Sequence, residues 1–481
     1  MLGLAAPGPA ALAQTQAQRT DPYFVSGRQA LDQALRLRPN TGRAKNVILF
    51  LGDGMGVSTV TAGRIFEGQS RGVDGESNVL AFEALPYAAL SKTYSADRQV
   101  TDSAAGIDAI VTGVKTRNGV VGLGPSAPLK DCAATPAAVV MNIAELARAS
   151  GRSTGAVTTT RLTHATPAGV YAHTPYRDWE ADSDMEAGEG RGCPDIARQL
   201  VEAPPRARLN LALGGGRDRF LPKAAGGKRA DGRDLTAEWA RAPGSAYVTT
   251  AAQLEAARPG GADHLLGLFA PDHLPYEADR AKAGYGVPTL SQMTAKAIEL
   301  LSRNRKGYFL LVEGGRIDHG SHAGNAYRTL SETAEFANAV RTALSKVDLR
   351  DTLVIVTADH SHGLTISGYP ERNAPILGLA RAPDEPLPSD RKAYTTLSFA
   401  SGPGAAKDGA RRDPAHEDTL APDYRQSALV PMSSAAHGGE DVPVYAGGPQ
   451  AHLIHGVVEE SYIFQVMSHA LGLDRRRRGS R

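Results

Sequence analysis

Three stretches of this chain are apolar without interruption, and each ends on an acidic residue. Val47-Ile48-Leu49-Phe50-Leu51 runs into Gly52-Asp53-Gly54. Tyr308-Phe309-Leu310-Leu311-Val312 runs into Glu313-Gly314-Gly315, and Leu353-Val354-Ile355-Val356-Thr357 into Ala358-Asp359-His360. A strand wet on one face alternates apolar with polar residues. A strand apolar at every position reads as buried on both faces, in a sheet covered by helices on each side. Helical patterns rich in Ala, Leu and Glu lie at 138–149, 289–304 and 327–347. Strands alternating with helices predict an α/β fold, a large and mainly parallel central sheet flanked by helices on both faces. In such sheets ligands sit beyond the carboxyl ends of the strands. All three acidic residues fall there.

Composition narrows the function classes. With 42% hydrophobic residues in 481, the chain can bury a large core, which excludes disorder as its main state. Lys+Arg 53 against Asp+Glu 51 leaves a net charge of +2, which argues against a protein devoted to nucleic acid. No apolar run approaches the roughly 18 residues of a membrane span. Residues 1–18 read as the remnant of a signal peptide or a disordered segment, with Ala11-Leu12-Ala13 similar to a cleavage site. Residues 19–474 read as a single catalytic domain. It carries a Pro-, Asp-, Arg- and Gly-rich surface insertion at about 367–431 and, at 26–37, an amphipathic N-terminal helix outside the sheet. Residues 475–481 are a basic tail. The two cysteines, Cys132 and Cys193, are either one disulfide of an oxidising compartment or two unrelated buried thiols.

The strand ends carry chemistry. Asp53 follows its strand in Gly52-Asp53-Gly54-Met55-Gly56, where the glycine spacing is wrong for a dinucleotide loop and an Asp would repel a pyrophosphate. A metal-binding Asp suits the position better. Asp318 and His322 are spaced i and i+4, so a helix there would put both on one face, able to share a metal. Glu313 offers an oxygen that suits a hard cation. Asp359 and His360 form an adjacent pair able to hold zinc from a bend. His437, beside Gly438-Gly439, is by itself no more than a turn histidine. Ser103, in Thr101-Asp102-Ser103-Ala104-Ala105-Gly106, has small neighbours and is either a metal-activated nucleophile, a helix N-cap, or both. Arg177 could grip two phosphoryl oxygens with its planar fork, or only pair with an Asp.

These motifs resemble those of the alkaline phosphatases, and of the animal branch more than the enteric bacterial one. The matching segments are Gly52–Gly56, Asp102-Ser103-Ala104, 312–322, 357–362, Ala436-His437-Gly438-Gly439-Glu440 and Gly448-Pro449-Gln450-Ala451-His452. They occur in the family's order over about 45–471. The resemblance implies a phosphomonoesterase of broad range working through a phosphoserine at Ser103, with Arg177 on the phosphoryl oxygens. It implies two Zn2+ and one Mg2+ per subunit. One zinc would lie on Asp318, His322 and His437, the second on Asp53, Asp359 and His360, and the magnesium on Asp53, Thr166 and Glu313. His362 would orient a ligand from behind. His164 and His319 stand where enteric relatives have Asp and Lys, so His164 is expected beside the magnesium rather than on it. Ala270, in Gly267-Leu268-Phe269-Ala270, replaces an acidic ligand of the animal branch's calcium site, so no calcium is expected. Cys132 and Cys193 resemble a disulfide pair of the family. A homodimer follows from the same resemblance, while the N-terminal segment and the two cysteines point to a periplasmic or secreted protein. The alternatives are a phosphodiesterase or sulfatase of the same superfamily, and a phosphate scavenger without turnover.

Overall fold

The computed structural model describes residues 15–474 apart from 186–189, 191, 205, 259, 284–285, 383 and 408. Residues 1–14, with the cleavage-site motif, and the basic tail at 475–481 lie outside the described residues. The chain divides into two compact units, Met1–Pro39 and Asn40–Arg481. The first contains the helices Gln16–Thr20 and Pro22–Arg36. The second of these begins earlier than the 26–37 pattern suggests, because Asp21 caps it through the Phe24 N–H and Pro22 takes the first helical position.

The second unit is built on ten strands. They are β1 Asn46–Leu51, β2 Tyr87–Lys92, β3 Ser153–Arg161, β4 Leu211–Gly215, β5 Ser245–Val248, β6 His264–Leu268, β7 Tyr308–Glu313, β8 Thr352–Thr357, β14 Val442–Gly447 and β15 Gly456–Glu459. They pair in the order β15-β2-β14-β8-β1-β7-β3-β4-β6-β5. Only β14 runs antiparallel to its neighbours, β2 and β8. The sheet is therefore mainly parallel, as expected, with one reversed strand that the apolar-run pattern does not reveal.

The uninterrupted apolar runs have a direct cause. In β1, Val47, Leu49 and Leu51 enter one core while Ile48 and Phe50 enter the other. In β8, Leu353 and Ile355 likewise face away from Val354 and Val356. Successive side chains point to opposite faces, so a strand with a core on each side needs an apolar residue at every position. Helices Ser103–Thr112, Ile143–Ala149 and Tyr462–Leu471 cover the first face. Helices Leu290–Leu301 and Ala326–Lys346 cover the second. The pattern at 138–149 breaks into two helices, Thr135–Ala138 and Ile143–Ala149, because Asn142 caps the second in a reciprocal box with Glu145.

Two small sheets complete the unit. Strands β9 Ser361–His362 and β13 His437–Gly438 pair antiparallel with His437 opposite His362. Strands β10 Leu364–Ile366, β11 Leu397–Gly402 and β12 Ala428–Pro431 form a three-stranded sheet spanning most of the 367–431 segment. Leu397 and Phe399 of this sheet pack with Ala62, Ala326 and Leu330. Cys132 and Cys193 are joined in a disulfide with Cα atoms 5.6 Å apart. Among the described residues no helix is long and apolar enough to cross a membrane.

Candidate active site

Parallel pairing in register brings the three acidic strand ends level. Leu51 at the end of β1 lies opposite both Glu313 of β7 and Thr357 of β8. Asp53 and Asp359 each follow two residues beyond those partners and Glu313 is itself the last residue of β7, so three carboxylates converge at one edge. Gly54 makes the turn possible. Its φ is +67°, its N–H reaches Asp359 Oδ1 at 3.2 Å, and a Cβ there would lie 2.7 Å from His362 Cδ2.

The helix Arg316–His322 places Asp318 and His322 on one face, with His322 Nε2 3.3 Å from Asp318 Oδ2. The pairing of β9 with β13 delivers His437, whose ring stacks on His360 at 3.6 Å. His362 Nε2 lies 2.5 Å from Asp318 Oδ1. Three sets of ligand-type atoms result: Asp318, His322, His362 and His437; Asp53, Asp359 and His360; Asp53, His164 and Glu313. Within each set the atoms lie within 4.8 Å of one another.

Hydrogen bonds decide which histidine nitrogens are free. Nδ1 of His322, His360, His362 and His437 faces the main-chain oxygens of Ala435, Ser361, Ala436 and Thr101, at 2.6, 3.1, 3.2 and 3.0 Å. A carbonyl only accepts, so each Nδ1 carries the proton, which leaves the Nε2 lone pairs of His322, His360 and His437 for a cation, while His362 also donates from Nε2 to the Asp318 carboxylate. His164 shares that tautomer but spends its lone pair inside the protein. Arg177 Nη2 donates to its Nε2 at 3.1 Å, so the neutral ring carries its proton on Nδ1. His164, near Asp53 and Glu313, therefore has no lone pair left for a cation, and its Nδ1 has no hydrogen-bond partner among the described residues. His319 accepts from Arg316 Nη1 through Nδ1 at 2.9 Å and stands 5.6 Å from the His164 ring.

The buried charges are unbalanced. Burial, then the negative charges of Asp359, Asp318 and Glu313, raise Asp53 well above the usual carboxylate range. Burial lifts Glu313 to about 7, and burial with Asp318 lifts Asp359 to about 7. Asp318 goes the other way: burial opposes its charge, but His322, His362 and His437 hold it well below its ordinary value. Burial lowers His437 to about 4 and His319 to about 3. Asp53 Oδ2, Asp359 Oδ2, Glu313 Oε1 and Thr166 Oγ1 are buried without a hydrogen-bond partner among the described residues. Thr166, in the short helix Ala165–Ala168, is close enough to Glu313 to depress its pKa yet lies outside hydrogen-bond geometry. Acceptor atoms orphaned among like charges fit bound cations, which would supply the missing positive charge.

Ser103 begins the helix Ser103–Thr112 as its first helical residue. The N-cap is Asp102, not Ser103, because Asp102 Oδ1 accepts from the Ala105 N–H at 3.1 Å. Ser103 Oγ is 3.3 Å from Asp53 Oδ1 and 3.3 Å from His360 Nε2. Asp102 Oδ2 also receives Arg177 Nη1 at 3.0 Å, which joins the guanidinium to the serine's own helix. All the residues singled out in sequence for the site thus gather at one strand edge, and the disulfide stands apart as a tether.

Several contributors escaped the sequence reading. Thr158 and Thr160 hydroxyls both bond Glu313 Oε2. His273 packs 4.3 Å from the His319 ring and 5.6 Å from His164. Arg161 holds Glu180 at 2.6 Å and Asp272 at 2.7 Å. None belongs to a spaced motif, so only the Thr-Thr-Thr run at 158–160 left a visible trace.

Known proteins share this arrangement. The alkaline phosphatase family profile matches residues 44–473. The tissue-nonspecific alkaline phosphatase of Gallus gallus is 44% identical over 94% of this chain and 89% of its own length. An alkaline phosphatase of Gadus morhua is 42% identical over 94% of this chain and 98% of its own. Among solved structures, the alkaline phosphatase of the Antarctic bacterium TAB5 superposes with a TM-score of 0.64 at 25% identity, over 90% of this chain and 100% of that one. The Thermus thermophilus alkaline phosphatase gives 0.66 at 26%, over 93% and 96%. The chain belongs to the alkaline phosphatase family.

Proposed function

We propose that Ser103 is the nucleophile through which this metal-dependent phosphomonoesterase transfers the phosphoryl group of an ester, first to itself and then to water, releasing an alcohol and inorganic phosphate. The observation that carries the reading is the position of Ser103 Oγ, 3.3 Å from Asp53 Oδ1 and 3.3 Å from His360 Nε2, on a helix whose N-cap holds Arg177. The helix N-terminus adds partial positive charge where the phosphoryl oxygens would lie. Arg177 offers two N–H groups to the non-bridging oxygens, and Asp102 sets its direction. Asp102 also fixes the start of the helix, so nucleophile and clamp share one anchor. Two successive in-line displacements would retain configuration at phosphorus.

Asp318, His322 and His437 would hold one zinc, Asp53, Asp359 and His360 a second, and Asp53, Glu313 and Thr166 a magnesium. Mixed imidazole and carboxylate donors suit zinc, and an all-oxygen set suits magnesium. Bound there, the ions supply Lewis-acid charge to the reacting oxygens and lower the pKa of an attacking hydroxyl. His362 keeps Asp318 oriented, and His164 keeps Arg177 in place from the side opposite Asp102.

The same reading takes 19–474 as one catalytic domain with 367–431 as an insertion, and 1–18 as a leader or disordered segment. It places the enzyme as a homodimer in the periplasm or outside the cell. The disulfide supports an oxidising compartment. Sedimentation of the purified enzyme as a monomer would reject the dimer. The decisive assay is release of p-nitrophenol from its monoester and its bis-ester in parallel, for the wild type and for Ser103→Ala. Monoester preference, with turnover lost and phosphate binding kept in Ser103→Ala, is the expected result. Faster bis-ester turnover would move the chain to the diesterases.

A further inference from the structure

The helix that carries Ser103 is buried along its whole length and contains one ionisable residue, Asp108. Asp108 is 0% exposed, and its Oδ1 accepts the Gly122 N–H at 2.7 Å. Its Oδ2 has no partner among the described residues. A buried carboxyl in an apolar helix costs stability unless it is hydrogen-bonded, so the one bond Asp108 makes carries weight. Its single bond goes to the strap at 119–123, which runs between this helix and the segment that leads into Arg177.

The strap is tied to that segment at four points. The Val121 N–H reaches Thr174 O at 3.0 Å, and the Thr174 N–H reaches Val121 O at 2.8 Å. The Arg177 N–H reaches Gly119 O at 2.7 Å. His173 Nδ1 donates to Gly122 O at 2.8 Å, while its Nε2 lies 3.0 Å from Glu145 Oε1. Gly122 is thus held from both sides, its N–H by the serine's helix and its C=O by His173 of the arginine's segment together with the Val140 N–H at 3.0 Å. The fit leaves no room: φ is +70°, and a Cβ would lie 2.4 Å from Ala172 O. Burial raises Asp108 well above its ordinary value, which favours the neutral acid that an amide mimics. Burial opposes charge on His173, but the Glu145 carboxylate raises its pKa, which favours the imidazolium that donates on both sides.

We infer that Asp108, Gly122 and His173 form a clasp that sets the distance between Ser103 and the guanidinium of Arg177, which makes Asp108 a positioning residue for phosphoryl binding. The inference rests on the reading of Arg177 as the phosphoryl clamp. Asp108 touches neither substrate nor metal ligands; it acts through the strap.

The test is the affinity of the metal-loaded enzyme for inorganic phosphate, by calorimetry, with kcat and KM for p-nitrophenyl phosphate at one pH. Asp108→Leu leaves the Gly122 N–H unpaired and should weaken phosphate about tenfold, with a matching rise in KM and a smaller change in kcat. Asp108→Asn keeps an oxygen at the acceptor position and should restore affinity to within about twofold of wild type. In an Arg177→Ala background, Asp108→Leu should cost nothing further, because it acts through Arg177. Should Asp108→Leu fail to fold, Asp108→Ser, polar but too short to reach Gly122, takes its place with the same expectations. Wild-type phosphate affinity in the Asp108 variant beside a weakened Arg177→Ala overturns the inference alone, as does a loss that adds in full to that of Arg177→Ala. Wild-type affinity in Arg177→Ala overturns the clamp reading itself, and the clasp with it.

Discussion

Two clusters of buried charge lie in this unit, and they solve the same electrostatic problem in opposite ways. At the strand ends, Asp53, Glu313 and Asp359 face one another with orphaned oxygens and raised pKa values. Around Arg229 the carboxylates have their cation in the chain. Arg229, 0% exposed, holds Asp195 at 3.0 Å, Asp231 at 2.5 Å and Asp182 at 3.6 Å. A guanidinium has five donors and is always charged, so the second cluster is complete as folded. The first is complete only with ions from solution. A structural site carries its counter-charge covalently; a reactive site leaves the position open so that the cation can also act on substrate.

Removing the ions should give the largest effect. Chelation should lower monoester turnover by on the order of a thousandfold, and zinc with magnesium should restore it. A chelated enzyme that keeps more than about a tenth of its turnover would break the comparison, because the strand-end cluster would then suffice alone. Next comes Arg229→Met, which leaves the buried Asp195 carboxylate without its guanidinium. We expect a loss of about 3–5 kcal/mol in urea unfolding. The loss should be the same before and after chelation, and a loss that vanishes in the chelated protein would couple two clusters we describe as independent. Replacing both Cys132 and Cys193 by Ser should remove up to about 4 kcal/mol, since the bridge closes a long loop around Thr166 and Arg177. Unchanged stability would mean that the packing already fixes those segments.

The smallest effects sharpen the sign. Asp53→Asn should stabilise the metal-free protein, by about 1 kcal/mol, because it removes a carboxyl whose ionisation is opposed by burial and by its acidic neighbours. It should destroy turnover in the loaded one. A metal-free variant less stable than the metal-free wild type would argue against that repulsion. Glu313 and Asp359 are raised to about 7 from ordinary values of 4.5 and 3.8. Their contribution in the metal-free protein is therefore fully present below about pH 4 and lost as pH rises through about 7. In the other cluster burial raises Asp231 but Arg229 outweighs it and lowers the pKa, so that contribution is lost on acidification, whereas at Asp195 burial outweighs the same guanidinium and raises the pKa. Buried neutral histidines pull the other way below about pH 6.5, so the comparison is with Glu313→Gln: relative to that variant, the melting temperature of the metal-free wild type should fall from pH 5 to 8, and a difference that stays flat or rises would contradict the raised value.

Much of the site was legible because it follows short-range patterns. Apolar runs that end on Asp53, Glu313 and Asp359 mark strands and their carboxyl ends. The i, i+4 spacing of Asp318 and His322 marks one helical face, and the helix Arg316–His322 bears it out. Other parts left no local trace. The residues around His437 read only as a turn; the resemblance alone singled it out, and the pairing of β13 with β9 brings it beside His360. Asp102 was passed over as a cap because Ser103 fits the same preference, and only the hydrogen bond to Ala105 separates them. Asp108 did leave a signal, a lone acid in an otherwise apolar helix, but its partner Gly122 could not be guessed from spacing.

The sequence by itself determined the two-sided sheet, since a strand apolar at every position is stable only between two cores, and it determined that acidic groups sit at the sheet's carboxyl edge. It could not decide which of those groups meet. Ser103 and His360 are 257 residues apart and come within 3.3 Å only because β1 and β8 pair in register and the Ser103 helix packs at their ends. Register and packing minimise the free energy of the whole chain at once, so the tautomers, the open cation positions and the clasp between Ser103 and Arg177 belong to the tertiary structure alone.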